Sequence, residues 1–227
     1  MCGRFTLRSP GRVKFDLKRE ALPTLFAPRF NIAPSQEVLT VMSDDGERTL
    51  LPARWGLIPS WSKEPKGIIN ARCETLNEKP SFCESFERRR CLIPADGFYE
   101  WKNSGKSRQP YYFQMKHEEL FYFAGIWDQW RRGAESITSC AIITTTPNEL
   151  LETIHDRMPV ILPAETQKAW LARDTRPMEL LSLLNPFSGA AMKRHPVSQQ
   201  VNYAQAEEAG LVEPVELSQA GTNLSLF

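Results

Sequence analysis

Cysteine follows the initiator methionine in Met1-Cys2-Gly3-Arg4, and the small side chain favours removal of Met1, which would leave Cys2 as the N-terminus. Such a residue carries an amine with an ordinary pKa of about 7.7 to 8.0 beside a thiol of about 8.5, so part of the amine is an uncharged nucleophile at neutral pH. Aldehydes are the electrophiles it suits. The amine condenses to an imine, the thiol closes on the imine carbon, and a thiazolidine ring results. Position alone does not establish this chemistry, since any residue can follow Met1; other groups must supply the proton transfers.

Three further segments place polar, reactive types in or at the ends of apolar strands, where burial is costly unless the groups are paired or used. They are Ile69-Asn70-Ala71-Arg72-Cys73-Glu74-Thr75, Ala95-Asp96-Gly97-Phe98-Tyr99-Glu100-Trp101-Lys102 and Ile154-His155-Asp156-Arg157-Met158-Pro159. Glu100 sits among Phe98, Tyr99 and Trp101, surroundings that raise a carboxyl pKa; the plainer alternative is a carboxylate paired with Arg or Lys. His155 is a proton carrier by type, although a lone histidine is often only structural. Asn70 offers a donor and an acceptor without charge. Arg4, Arg72 and Arg157 are fork-shaped donors for phosphate, or else solvated charges, or partners of Glu74 and Asp156.

Strands must position most of these groups. Gly3 to Arg8, Ile68 to Arg72, Cys91 to Ile93, Gly97 to Trp101, Tyr111 to Met115, Phe121 to Ile126 and Thr138 to Thr145 are aromatic or β-branched runs. Val38 to Met42, the Asp44-Asp45-Gly46 turn and Arg48 to Trp55 predict a hairpin. Val13 to Leu22, Ser81 to Arg90, Asn148 to Ile154, Pro163 to Ala172 and Met178 to Leu184 carry helical spacing or start signals. Strands and helices do not alternate regularly, which predicts an α+β fold: one domain with a mixed or antiparallel, barrel-like sheet flanked by helices. Residues 1–202 form that domain and the polar residues 203–227 a loosely held tail.

The chain of 227 residues, 41% hydrophobic and 10% aromatic, suits a sizeable core. It has no apolar run long enough for a bilayer and no secretory leader, so the expectation is a cytoplasmic, nucleoid-associated protein without membrane contact. Cys2, Cys73, Cys83, Cys91 and Cys140 include no C-x-x-C pair, which points away from a disulfide framework and a zinc site. The last four read as reduced, mostly buried hydrophobes. Net charge is +1, but residues 1–110 hold 19 Lys+Arg against 13 Asp+Glu (+6) and residues 111–227 hold 9 against 14 (−5). One half is therefore a candidate anion-binding face, or the asymmetry is ordinary surface variation.

With Asn31-Ile32-Ala33-Pro34 and Trp55-Gly56-Leu57-Ile58-Pro59-Ser60-Trp61, these segments make a recognisable pattern. The chain resembles the SOS response-associated peptidase family, proteins that process abasic sites in single-stranded DNA, and the likeness runs in order from Met1 to about Val201. The resemblance implies a monomer that needs no metal or cofactor and whose Cys2 traps the ring-opened abasic sugar as a thiazolidine. It places Glu100 next to the Cys2 amine, makes His155 the group that helps open the sugar and reverse the crosslink, and gives Asn70 the task of orienting the sugar hydroxyl and the N-terminus. It puts Arg4, Arg72 and Arg157 on flanking phosphates and Thr144 near the sugar, with Pro34 and Trp61 as wedges stacked on exposed bases. Ser62 departs from relatives that carry a second tryptophan there. His117 reads as exposed and inert, and no chemistry attaches to His195.

Rival readings share parts of this sequence. Glutamine amidotransferases of the N-terminal nucleophile class also begin Met-Cys-Gly and use the thiol as nucleophile, but their Arg-Gly-Pro-Asp and Asn-Gly-Glu segments are missing here. A peptidase whose Cys2 releases Met1 is compatible with crosslinking, since it exposes the amine. A non-covalent single-strand binder fits the weak net charge poorly.

Overall fold

A computed structural model describes residues 2–13, 27–44, 47–105 and 107–217. Its largest unit is a closed barrel of five strands. Strands β3 (Glu37–Asp44) and β4 (Glu47–Trp55) form the expected hairpin, β3 pairs with β6 (Arg90–Ala95), β6 with β9 (Phe121–Arg132), and β9 with β10 (Glu135–Thr145). Parallel pairing of β10 with β4, Ser139 opposite Arg54, closes the ring. The end of β10 then gains a short strand on each side. Strand β5 (Asn70–Arg72) runs parallel to it, Thr144 opposite Arg72, and β11 (Met158–Pro159) runs antiparallel, Thr144 opposite Pro159.

The second sheet is antiparallel, in the order β12 (Met192–Pro196), β8 (Ser107–Met115), β7 (Gly97–Ser104), β1 (Arg4–Leu7) and β2 (Arg29–Ile32). One face packs on the barrel. Phe5 lies 5.2 Å from Trp55 and 5.7 Å from Phe123, and Phe98 lies 6.1 Å from Phe123, all edge-on. Each such ring, fully buried, contributes roughly 1.5 to 3 kcal/mol. Because side chains alternate along a strand, Glu100 shares the barrel-facing side of β7 with Phe98, while Tyr99 points to the outer face.

That outer face is covered by the C-terminal segment. Tyr99, Tyr112, Val197, Val201, Leu211 and Val212 form a second apolar cluster, and Val215 N–H bonds to Pro196 O. Glu207 accepts from the backbone N–H of Phe30 and Asn31, and Asn31 Nδ2 donates to the carbonyls of Tyr203 and Ala206. Residues 203–215 are thus a packed strap rather than a loose tail; a few apolar residues, chiefly the adjacent Leu211 and Val212, suffice to cover two tyrosines. His195 belongs to the same joint, with Nε2 2.7 Å from Val212 O.

Other departures are local. Asn148–Ile154 is a series of turns, not a regular helix: Asn148 Oδ1 caps the N–H of Leu150 and Leu151 as at a helix start, but Ile154 N–H bonds three residues back to Leu151 O and the helical bonding ends with His155 N–H on the same carbonyl. Strand β2 is a four-residue run with Arg29 and Asn31, and β12 carries Lys193, Arg194 and His195 in succession, so neither gave a strand signal. The expected helices appear, shortened, as α1 (Cys83–Arg88), α2 (Ala164–Leu171) and α3 (Pro177–Ser182). The helix expected over Val13 to Leu22 and the tip of the β3–β4 turn lie outside the described residues. Among the described residues no helix is long and apolar enough to cross a membrane.

Candidate active site

The site forms where two strands end out of step. Strand β1 pairs with β7 with Arg4 opposite Tyr99, so β1 stops while β7 continues through Glu100 to Ser104. Cys2 and Gly3 run on past this overhang. A buried carboxylate fixes the arrangement: Asp96 accepts from Thr6 Oγ1 at 2.6 Å and from the backbone N–H of Arg8 and Ser9 at 2.6 and 3.1 Å. Gly97 is required beside it, since a Cβ there would lie 2.0 Å from the Tyr112 hydroxyl oxygen. Asp96, placed by the sequence in a reactive segment, therefore holds β1 in register instead of doing chemistry.

The end of β10 supplies the facing groups. Asn70, at the start of β5, donates from Nδ2 to Cys2 O at 2.9 Å; its Oδ1 is buried and without a hydrogen-bond partner among the described residues. A buried amide oxygen without a donor is costly, and it points to a donor that arrives with a ligand or a freed amine. The Cys2 side chain is fully buried. Burial pushes its thiol pKa up, and the charge of Glu100 adds to the effect.

Glu100 is 1% exposed, and burial lifts its carboxyl from the ordinary 4.5 to about 7, with the charge of Asp156 contributing. Near neutral pH it can therefore give or take a proton. His155 Nε2 stands 4.0 Å from Glu100 Oε2. Burial lowers the His155 pKa, which favours neutral imidazole. The neutral ring accepts the Arg157 backbone N–H on Nδ1 at 3.0 Å, which leaves the ring proton on Nε2, the nitrogen 4.0 Å from Glu100. Asp156 Oδ1 lies 2.9 Å from the same Nδ1 and becomes its partner once the ring is protonated; Asp156 is exposed, so water screens that attraction.

Two of the residues expected at the DNA are tied into the protein. Arg157 forks onto Glu74 at 2.5 and 2.9 Å and donates to Thr144 O at 2.5 Å, so it clamps the His155 turn to the β5 end. Thr144 is fully buried and joins β5 to β11. Arg4 donates from Nη1 to Val201 O at 2.8 Å, keeping its remaining donors for a ligand. Arg72 is exposed at the barrel end.

Two cavities meet along the β7 overhang. One, of about 450 Å³, is lined by Gly3, Arg4, Pro34, Trp101, Arg108 and Asn202. The other, of about 220 Å³, is lined by Glu100, Trp101, Asn103, Arg108 and His155. Pro34 is in place as expected. Trp61, 62% exposed, is outside both; its loop is tied to β9 by Ser60 N–H on Asp128 and by Trp130 Nε1 on Ser62 O. Trp101, its indole N–H bonded to Asn202 Oδ1 at 2.7 Å, is the aromatic wall that the sequence reading missed, although it stands next to Glu100 in the quoted motif. No group of His, Cys, Asp and Glu among the described residues is arranged to hold a metal ion.

A family model described as SOS response associated peptidase matches residues 1–204. The abasic site processing protein YoqW of Bacillus subtilis is 44% identical over 94% of this chain and 99% of its own. The abasic site processing protein YedK of Escherichia coli is 31% identical over 95% of this chain and 100% of its own. A crystal structure of a protein from Bacteroides thetaiotaomicron superposes with a TM-score of 0.81 at 26% identity, covering 95% of this chain and all of that one.

Proposed function

The chain belongs to the SOS response-associated peptidase family, and from that premise we propose that it recognises abasic sites in single-stranded DNA and bonds to them through Cys2. The observation that carries the reading is a buried Glu100 with a pKa near 7, set on an open strand edge between Cys2 and His155. Loss of Met1 would free the Cys2 amine in that space, with Asn70 Oδ1 available to orient it. His155 and Glu100 would move the proton that opens the closed abasic sugar to its aldehyde.

The amine then adds to the aldehyde carbon, and Glu100 takes the ammonium proton and returns it to the departing hydroxyl, so water leaves and an imine forms. The Cys2 sulfur adds to the imine carbon while the thiol proton passes to the nitrogen. Amine, thiol and aldehyde thus give thiazolidine and one water. A buried thiol resists ionisation, which makes a base within reach necessary for this closure. His155 would deliver the proton that reopens the ring in the reverse direction, and the release of Met1, with any strand cleavage of lyase type, would use the same groups. Residues 1–202 constitute the catalytic and DNA-binding unit, acting as a monomer beside the nucleoid, with Arg4, Arg72, Pro34 and Trp101 on the flanking strand. Backbone contacts and stacking carry little sequence preference.

Incubation with an abasic single strand followed by denaturing electrophoresis tests this. A shifted band that survives heat and is lost in Cys2→Ala is expected; no band with the parent chain would falsify it.

A further inference from the structure

We infer that Arg108, on the β7–β8 hairpin, holds a backbone phosphate of the DNA strand beside the lesion pocket. The inference rests on the reading above that the pocket takes an abasic strand, and it adds a contact that neither the sequence pattern nor the family comparison assigns.

The two cavities share only Trp101 and Arg108 in their walls. A strand that lies in both, with its sugar at Glu100 and its neighbour beside Arg4 and Pro34, has to pass Arg108. The hairpin determines where the side chain stands. Strand β8 pairs with β7 with Arg108 opposite Asn103 and Pro110 opposite Trp101, so Trp101, Asn103 and Arg108 project from one face. Gly105, at φ 67°, makes the tight turn that sets this register.

Availability separates Arg108 from Arg4 and Arg157. Arg157 is forked onto Glu74 and Arg4 has one nitrogen on Val201 O. Arg108 is exposed and makes no ion pair with any described residue. A guanidinium that meets no partner among the described residues and that, with Trp101, stands in the wall common to both cavities matches the fork geometry and charge of a phosphodiester.

The test uses the full chain and a single strand carrying a tetrahydrofuran abasic analogue, which cannot open to an aldehyde and so reports binding alone. Arg108→Ala should weaken binding several-fold and reduce the slope of log K against log salt by about 0.7, the value for one phosphate on a single strand. Methylphosphonate linkages, uncharged, are then placed one at a time on either side of the lesion. At one position the difference between parent and variant should vanish, and Arg108→Lys should recover part of the affinity. Equal affinity and slope for parent and Arg108→Ala, with the parent still crosslinking true abasic strands, would overturn the assignment alone. A difference that persists at every methylphosphonate position would also overturn it, since it would indicate a diffuse field rather than a contact. A parent that neither binds nor crosslinks the strand overturns the functional reading and the assignment with it.

Discussion

Glu100→Gln should make the protein more stable and less active, and the stability gain should appear only as pH rises. Burial holds the Glu100 carboxyl at about 7 against an ordinary 4.5, so the folded state binds its proton more tightly than the unfolded chain does. A raised carboxyl pKa leaves stability intact below the unfolded value; stability is lost as pH climbs from about 4.5 to about 7, and the loss is complete above that. The difference corresponds to about 3 kcal/mol at most, at about 1.36 kcal/mol per pKa unit. Glutamine has the same shape and no proton to lose. The variant should therefore exceed the parent by only about 1 kcal/mol at pH 5 and by up to about 3 kcal/mol at pH 8, a rise in Tm of about 6 to 12 °C at the higher pH for a chain of this size. Thermal unfolding from pH 5 to pH 8 measures the gap, and crosslinking to an abasic strand should slow by roughly 10²- to 10⁴-fold in the same variant. A gap that does not change with pH, or a variant less stable than the parent at pH 8, would refute the argument that burial sets this pKa.

Arg72→Ala should weaken binding to single strands of any sequence and reduce the salt slope by about 0.7; an unchanged slope would place Arg72 off the DNA path. His155→Ala should slow transfer of a finished crosslink onto competitor abasic DNA more than it slows crosslinking of pre-opened sugar, and equal exchange rates in parent and variant would remove its role in reversal. Truncation after Ala204 removes Leu211 and Val212 from the outer face of the sheet, and loss of these two buried side chains should destabilise the fold by at least about 3 kcal/mol; urea unfolding with an unchanged midpoint would mean that the strap does not hold the sheet.

Strong local patterns in the sequence carried the architecture well where side chains are apolar and alternate. The β3–β4 hairpin, the long strands through Phe121 and Thr138, and the helices α2 and α3, which start one residue after the expected Pro163 and one before the expected Met178, all follow from residues whose own propensities agree with their surroundings. Strand β12, with Lys193, Arg194 and His195, was illegible because its order comes from pairing with Phe113 and Tyr112 on β8 and not from its own composition. Cys2, Asn70, Glu100 and His155 could be chosen by type and by resemblance; that they meet depends on β7 outrunning β1 and on β10 carrying a strand on each side, which no spacing encodes. Arg157 and Thr144 show the reverse limit. Both match the motif, yet one is engaged by Glu74 and the other is sealed in the barrel end.

Intact mass of the product between the Met1-free chain and an abasic single strand bears most directly on the proposed chemistry. Thiazolidine formation predicts the sum of the two masses less one water, reached without a reductant, with peptide mapping placing the adduct on Cys2 and Cys2→Ala giving none. An adduct that maps to a lysine, that needs borohydride to persist, or that forms equally in Cys2→Ala would contradict the account.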